Sequence, residues 1–378
     1  MAVALSIVMV VGMLMAASPA YATVTCGSTI TSNTTLYRNL NCSTSTGITI
    51  GANGITLNCS GHTIIGPGYG VGVSLSGRTG VTVKNCIVTS WGEGFGLSGS
   101  SSNTLTSNTA NSQYYSNGAG FYFSRSSGNI VSGNSATGSI FDGFDFESSS
   151  GNTVFGNTAT ANGYNGFDFE SSSGNTVSTN YAGSNTLCGF YFYSSSNTIE
   201  SNTATSNEAY GFYFYSSSGS TVSGNTARSN TAHGFYFYVS SGNTVFGNTA
   251  TANGWHGFYF YRRSNNNILT GNTATNNKYD GFDFSSSSGN TVSGNSATGN
   301  GNHYRISLPG DGFYLDSSTF GNTLTFNASN SNYGYGYNDL STGSGNAGTA
   351  NTYCSNTAIG NTLGASSPPG LPLACGGD

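Results

Sequence analysis

A Gly-Phe pair returns along this chain at Gly120, Gly143, Gly166, Gly189, Gly211, Gly234 and Gly257, in steps of 23, 23, 23, 22, 23 and 23 residues. Self-similarity at such a period marks a solenoid, in which one repeat buries its apolar face only against its neighbours. Gly281 and Gly312 extend the series after steps of 24 and 31, and looser members stand upstream at Gly94 and Gly72. One unit, Gly143 to Asn165, reads GFDFESSSGNTVFGNTATANGYN. Within it Phe144 and Phe146 alternate with Asp145 and Glu147, a period of two that turns both rings to one side of a strand. Val154 and Ala159 are the inward residues of a second and a third short strand. Stacked by repeat, these positions become a Phe column from Phe144 to Phe282, a Val-rich column from Val131 to Val292 and an Ala column from Ala136 to Ala297. The expected fold is all-β, a right-handed parallel β-helix of about 23 residues per coil. Asn recurs at one corner, at Asn134, Asn157, Asn180, Asn202 and Asn225 onward, where its amide can bond the backbone of the adjoining coil. A leucine-rich repeat needs a Leu framework that this chain lacks, and the calcium-binding nonapeptide repeat is absent.

Composition agrees with a stacked polar solenoid. Only 6% of residues are charged and 56 are Gly, yet 13% are aromatic, which a disordered polar tract would lack. A net charge of -5 without a clustered basic face argues against nucleic acid as a partner. Residues 1–22 carry an uncharged apolar run and end in Ala20-Tyr21-Ala22, the pattern of a cleaved secretory signal. That run is too short to span a bilayer, so no stable membrane span is expected after cleavage. The expected organisation is a signal peptide over 1–22, an N-terminal cap over 23–50, coils over 51–330 and a C-terminal cap or tail over 331–378. Seven cysteines fit an oxidising compartment, with Cys26–Cys42, Cys59–Cys86 and Cys354–Cys375 as candidate pairs and Cys188 left over.

The stretches Cys26-Gly27, Thr34-Thr35-Leu36, Asn41-Cys42, Gly54-Ile55-Thr56-Leu57, Gly61-His62-Thr63-Ile64 and Val81-Thr82-Val83-Lys84-Asn85 resemble the opening of secreted right-handed β-helix repeat proteins. The later GNTV and GNTA units resemble the NosD-like group, within the wider pectate-lyase-like solenoids. The resemblance implies a secreted, extracellular, cell-surface or periplasmic β-helix. It leaves activity open, since such relatives include carbohydrate-active enzymes, binding proteins and surface structures. The copper association of that group has no Cys/Met/His cluster behind it in this sequence.

Several surface features are candidates for function. The outward positions between the Phe residues are Tyr in four successive coils: Tyr191 and Tyr193, Tyr213 and Tyr215, Tyr236 and Tyr238, Tyr259 and Tyr261. Rings at strand spacing form a panel suited to sugar rings or another surface, or else a ladder that stabilises its own sheet. Two coils nearer the N-terminus carry Asp145, Glu147, Asp168 and Glu170 there, either a solvated acidic face or a group that invites a calcium ion or raised pKa values. Paired carboxylates are also the working parts of glycoside hydrolysis. A third candidate is the eight-residue excess before Gly312, with His303, Tyr304 and Arg305, near Asp283, Tyr314 and Asp316 and preceded by Asp280 and Asp311. His233 and His256 share one repeat position with Asn165, Cys188 and Tyr210, which reads as surface variation. Thr-Ala-Thr rows such as Thr158 and Thr160 resemble an ice-binding face but are interrupted by Tyr181, Gly183 and Arg228.

The residues therefore point first to glycan or surface binding through the Tyr panel without catalysis and with no required cofactor. A polysaccharide lyase, hydrolase or epimerase is the alternative, with Asp145, Glu147, Asp168, Glu170, Asp283, His303, Arg305 and Asp316 as its conditional catalytic set. A structural surface protein comes third.

Overall fold

The computed structural model describes residues 24–114, 118–301 and 310–371. The expected signal segment, the insertion residues His303 and Arg305, and Cys375 lie outside them. The chain is a right-handed parallel β-helix whose strands fall into three parallel sheets of 15, 14 and 14 strands. Each sheet takes every third strand, so neighbouring strands within a sheet come from consecutive coils. The first sheet starts at Ser28–Ile30 and ends at Gly364–Ser367. Coil strands thus run on into both segments expected to be caps, because parallel pairing uses backbone groups and does not need the repeat motif. Among the described residues, no helix is long and apolar enough to cross a membrane.

Register keeps each repeat position directly above its equivalent. Phe144, Asp145, Phe146 and Glu147 pair with Phe167, Asp168, Phe169 and Glu170. Even the 31-residue step preserves it, with Phe282 opposite Phe313 and Asp283 opposite Tyr314. The Phe rings stack along the axis, as in Phe144–Phe167 at 4.8 Å and 5°, and the Val and Ala columns are fully buried beside them.

The small column decides why every coil opens on Gly. A Cβ on Gly211 would lie 2.6 Å from the Gly234 carbonyl oxygen, 2.8 Å from Ala227 Cβ and 2.9 Å from Asn230 Nδ2. Gly211→Ala should therefore destabilise the coil by about 1–3 kcal/mol, the usual range for overpacking, read from a denaturant melt.

The corner Asn residues form a continuous ladder. Asn202 donates from Nδ2 to Val177 O at 2.8 Å and to Asn225 Oδ1 at 3.0 Å, while its Oδ1 accepts from Asn180 N at 2.9 Å and Asn180 Nδ2 at 3.0 Å. Two further Asn-rich ladders occupy the other corners, one through Asn129, Asn152 and Asn175 and one through Asn162, Asn185 and Asn207. Cys26–Cys42 and Cys59–Cys86 are both formed. Cys354 is also disulfide-bonded, and Cys188 is a buried free thiol whose pKa burial pushes up.

Candidate active site

Four repeat positions line an interrupted groove on the outer face of the first sheet. Two residues before each Gly is a lip: Phe141, Tyr164, Leu187, Ala209, Ala232, Trp255 and Tyr279. One residue before it is a second column: Asp142, Asn165, Cys188, Tyr210, His233, His256, Asp280 and Asp311. The two outward strand positions complete the set. Three clefts lie along this face, of about 160, 390 and 330 Å³, from the acidic coils through the start of the Tyr rows to His256 and Asp283.

The residue before each Gly is held by its neighbour. Asn165 N donates to Asp142 Oδ1 at 2.8 Å, His256 N to His233 Nδ1 at 3.3 Å, and Asp280 N to His256 Nδ1 at 3.2 Å. Asp311 N donates to Asp280 Oδ1, and Tyr335 N to Asp311 Oδ1. His233 is buried and His256 half-buried, and their rings stack at 5.1 Å and 9°. Their reading as surface variation is thus corrected: these imidazoles belong to the column that joins coil to coil.

At the C-terminal end of the Tyr rows this column turns acidic. The cleft of about 330 Å³ is lined by His256, Tyr279, Asp280, Asp283, Asp311, Tyr314, Tyr335 and Asn338. His256 Nδ1 lies 3.1 Å from Asp280 Oδ2, and its Nε2 lies 3.5 Å from Asp283 Oδ2. The former contact requires a proton between its two atoms. Asp283 Oδ1 accepts from Ser285 Oγ at 2.7 Å, and Asp311 Oδ2 from Asn338 Nδ2 at 2.8 Å. Burial, offset in part by His256, pushes the Asp283 carboxyl up to about 7, and burial together with Asp280 does the same for Asp311. Burial alone would lower His256, but the facing Asp283 and Asp280 outweigh it and its pKa stands above the ordinary value.

These shifts give stability a direction with pH. Asp283 and Asp311 hold their protons in the fold up to about 7 and lose them near 3.8 in the unfolded chain. Between those values the folded state binds more protons, so stability falls as pH rises. Burial raises Asp142 to about 6, and burial with neighbouring acids lifts Asp145 and Asp168 well above their ordinary value, adding to the same slope. The melting temperature should be higher at pH 5 than at pH 7.5; a rise toward neutral pH would contradict the proton-holding role of these acids.

The structure sorts the sequence-derived candidates. Asp283 lies in the cleft with Asp280, Asp311 and Tyr314, whereas Asp316 turns to Ser286 N, Ser318 and Thr319 and organises a turn. Asp145, Glu147 and Glu170 lie with Asp142 and Tyr122 in the smallest cleft, and Tyr122 Oη donates to Glu147 Oε2. Asp168 lines the middle one. Among the described residues, the group of three whose ligand atoms all approach within 4.8 Å is His256, Asp280 and Asp283; Asp145, Glu147, Asp168 and Glu170 do not form such a group.

The Tyr rows form, but not as an open platform. Tyr213 stacks on Tyr236 at 4.8 Å and 7°, and Tyr236 on Tyr259 at 5.1 Å and 9°, so each face is covered by the next ring. Tyr236 is only 8% exposed. The outer row is looser, with Tyr215–Tyr238 and Tyr238–Tyr261 tilted by 56° and 52° and Arg262 donating to Tyr238 Oη at 2.9 Å. The more open aromatic is on the lip: Trp255 is 50% exposed, beside His233 and Tyr279. Periodicity gave no signal for it, since the lip residue changes type from coil to coil.

A parallel β-helix with a grooved outer sheet and an acidic, imidazole-bearing cleft defines the class of protein. The chain belongs to the family described as periplasmic copper-binding protein (NosD), which matches residues 18–203, 142–267 and 193–310. No curated protein matches the chain. Among solved structures, it is similar to an alginate lyase in complex with G6, at 11% identity, TM-score 0.51, over 81% of this chain and 80% of that one. A periplasmic alginate epimerase gives 16% identity and TM-score 0.49 over 73% and 74%. The A-module of a mannuronan C-5 epimerase from Azotobacter vinelandii gives 15% and 0.49 over 86% and 92%. At these identities the likeness is one of fold.

Proposed function

We propose that this protein binds a polysaccharide along the groove of its first sheet and hydrolyses it at the His256–Asp283–Asp311 cleft. The observation that carries this reading is the convergence of three carboxyls and an imidazole in one cleft at the end of a ring-lined groove. Glycoside hydrolysis needs one carboxyl that holds a proton for the leaving oxygen and another group that takes a proton from water. Asp283, held protonated to about 7, supplies the first. Asp311, fixed by Tyr335 N and Asn338 and titrating at about 7, is the base in the form of the cleft where it has lost its proton and Asp283 has kept its own; it then accepts the proton of the attacking water as the glycosidic bond breaks. His256 carries no contact to the reacting atoms in this reading; it shares protons with Asp280 and Asp283 and positions them. A lyase must offset a uronate carboxylate, and no Lys or Arg lines this cleft among the described residues.

The test is product release from a panel of glycans, with calcium and with chelator. Reducing ends without an unsaturated product support hydrolysis. An unsaturated product would replace it with elimination, and no product from any glycan would leave the second reading, binding without catalysis. That second reading is favoured by the length of the Tyr rows. It is separable: Tyr215→Ala with Tyr238→Ala and Trp255→Ala should raise KM about tenfold (roughly 1.4 kcal/mol) with little change in kcat if the rings hold the chain. An unchanged KM would remove them from binding.

Copper in the family description finds no fitting donor set among the described residues. His233 and His256 are stacked face to face, so an ion in the plane of one ring lies out of the plane of the other. Cys188 is buried beside Asn165 and Tyr210, and the nearest grouping pairs one imidazole with two hard carboxylates. The periplasmic description of the family and the disulfides support a location outside the cytoplasm, in the periplasm or at the cell surface.

A further inference from the structure

We infer that the groove takes a glycan bearing free amino groups, with an ammonium seated between Asp145 and Asp168. This deepens the proposed function and rests on the glycan reading of the groove. Asp145 and Asp168 stand directly opposite each other on adjacent strands, roughly 4.8 Å apart along the axis. Glu147 and Glu170 stand opposite each other beside them, and Asp142 lies in the same cleft as Asp145. Among the described residues, both ion pairs belong to His256, so no cation of the protein offsets this group.

A second observation points to a ligand. Asp168 Oδ2 accepts from Asn165 Nδ2 at 2.9 Å, but Asp168 Oδ1 is buried with no hydrogen-bond partner. Asp168 also lines the middle cleft of about 390 Å³, which is large enough for a sugar ring. A buried carboxyl oxygen without a hydrogen-bond partner is costly, and a donor arriving with the ligand removes that cost. In the free protein burial and the neighbouring acids keep Asp145 and Asp168 protonated well above the ordinary range.

The geometry favours an ammonium over a metal ion. The acids do not bring three ligand atoms within 4.8 Å of one another, as a hard cation requires. An ammonium carries three donors and needs only two opposed acceptors. Tyr122 pairs with Asp145 on one side and Tyr191 with Asp168 on the other, so aromatic rings bracket the two acids along the axis. A polyuronate brings further negative charge to the same place, and a neutral sugar leaves the acids without a counter-charge.

The experiment is calorimetric binding of a glucosamine hexamer, its N-acetylated counterpart, an oligogalacturonate and a lysine oligomer, at pH 6.5 in two buffers of different ionisation enthalpy. The expected result is at least tenfold preference for the glucosamine hexamer, with proton release because the arriving ammonium ionises Asp145 and Asp168. Both features should vanish in Asp145→Asn/Asp168→Asn, and the preference should weaken in Glu147→Gln/Glu170→Gln, whose side chains are exposed and whose fold is not at risk. Equal binding of the acetylated hexamer overturns the inference. So does tighter binding of the oligogalacturonate, lysine binding as strong as glucosamine binding, or a preference that survives Asp145→Asn/Asp168→Asn. Asp283→Asn keeps the two readings apart. It should lose turnover and keep the amine preference; keeping both would remove the cleft assignment and leave the amine seat standing.

Discussion

The Asp283→Asn protein should bind its glycan and fail to cut it, with kcat reduced roughly 10²–10⁴-fold, the range for losing a positioned acid. Asn keeps the shape of Asp and the contact with Ser285 Oγ, so folding is preserved, but it has no transferable proton. The pH profile sharpens the test. With both carboxyls titrating at about 7 in the wild type, kcat should peak near that point, falling at higher pH as Asp283 loses its proton and at lower pH as Asp311 gains one. Asp311→Asn should instead remove the limb set by the base. His256→Gln should shift the profile while leaving a measurable rate, since the imidazole positions the acids and does not touch substrate. A loss in Asp283→Asn that appears wholly in KM would show that Asp283 only binds.

Asn202→Ala should cost roughly 3 kcal/mol or more, far above an ordinary surface substitution. The side chain makes four hydrogen bonds to two neighbouring coils, and its removal strands the buried Asn180 N–H and one Asn180 amide hydrogen and takes a donor from the Val177 carbonyl. Each unsatisfied buried group carries about 1–3 kcal/mol. Because a solenoid unfolds by neighbouring units and not necessarily as one, the measurement is hydrogen exchange. The Asn180 amide should lose protection first, with loss spreading over adjacent coils. Intact protection there would mean that water or a relaxed backbone replaces the ladder.

The architecture was legible because the repeat is strict. A period of 23 with Phe, Val and Ala at fixed places defines three inward columns, and all three are buried where expected. Cys59 and Cys86 stand about a coil apart, and they are bonded. The site was less legible for the same reason. A strict period makes recurring residues stand out, and the Tyr rows and the duplicated Asp-Glu coils recur. His256, Asp280, Asp311, Asn338 and Trp255 are residues whose positions recur while their types do not. Sequence comparison of coils puts His256, Asp280 and Asp311 in one column, and that alignment was the available signal for the cleft.

The sequence by itself determined the coil, its register and its core, since burying one narrow set of columns leaves a single way to stack them. Tertiary structure alone decided which outward residues face solvent and which face each other. At a strand spacing of roughly 4.8 Å, parallel rings cover one another and opposed carboxyls repel. Thus the Tyr rows closed into stacks that hide their faces, and the acids of adjacent coils became proton-holding groups. Chemistry at this surface depends on distances between coils, and a linear pattern encodes which coils are adjacent but not how side chains settle between them.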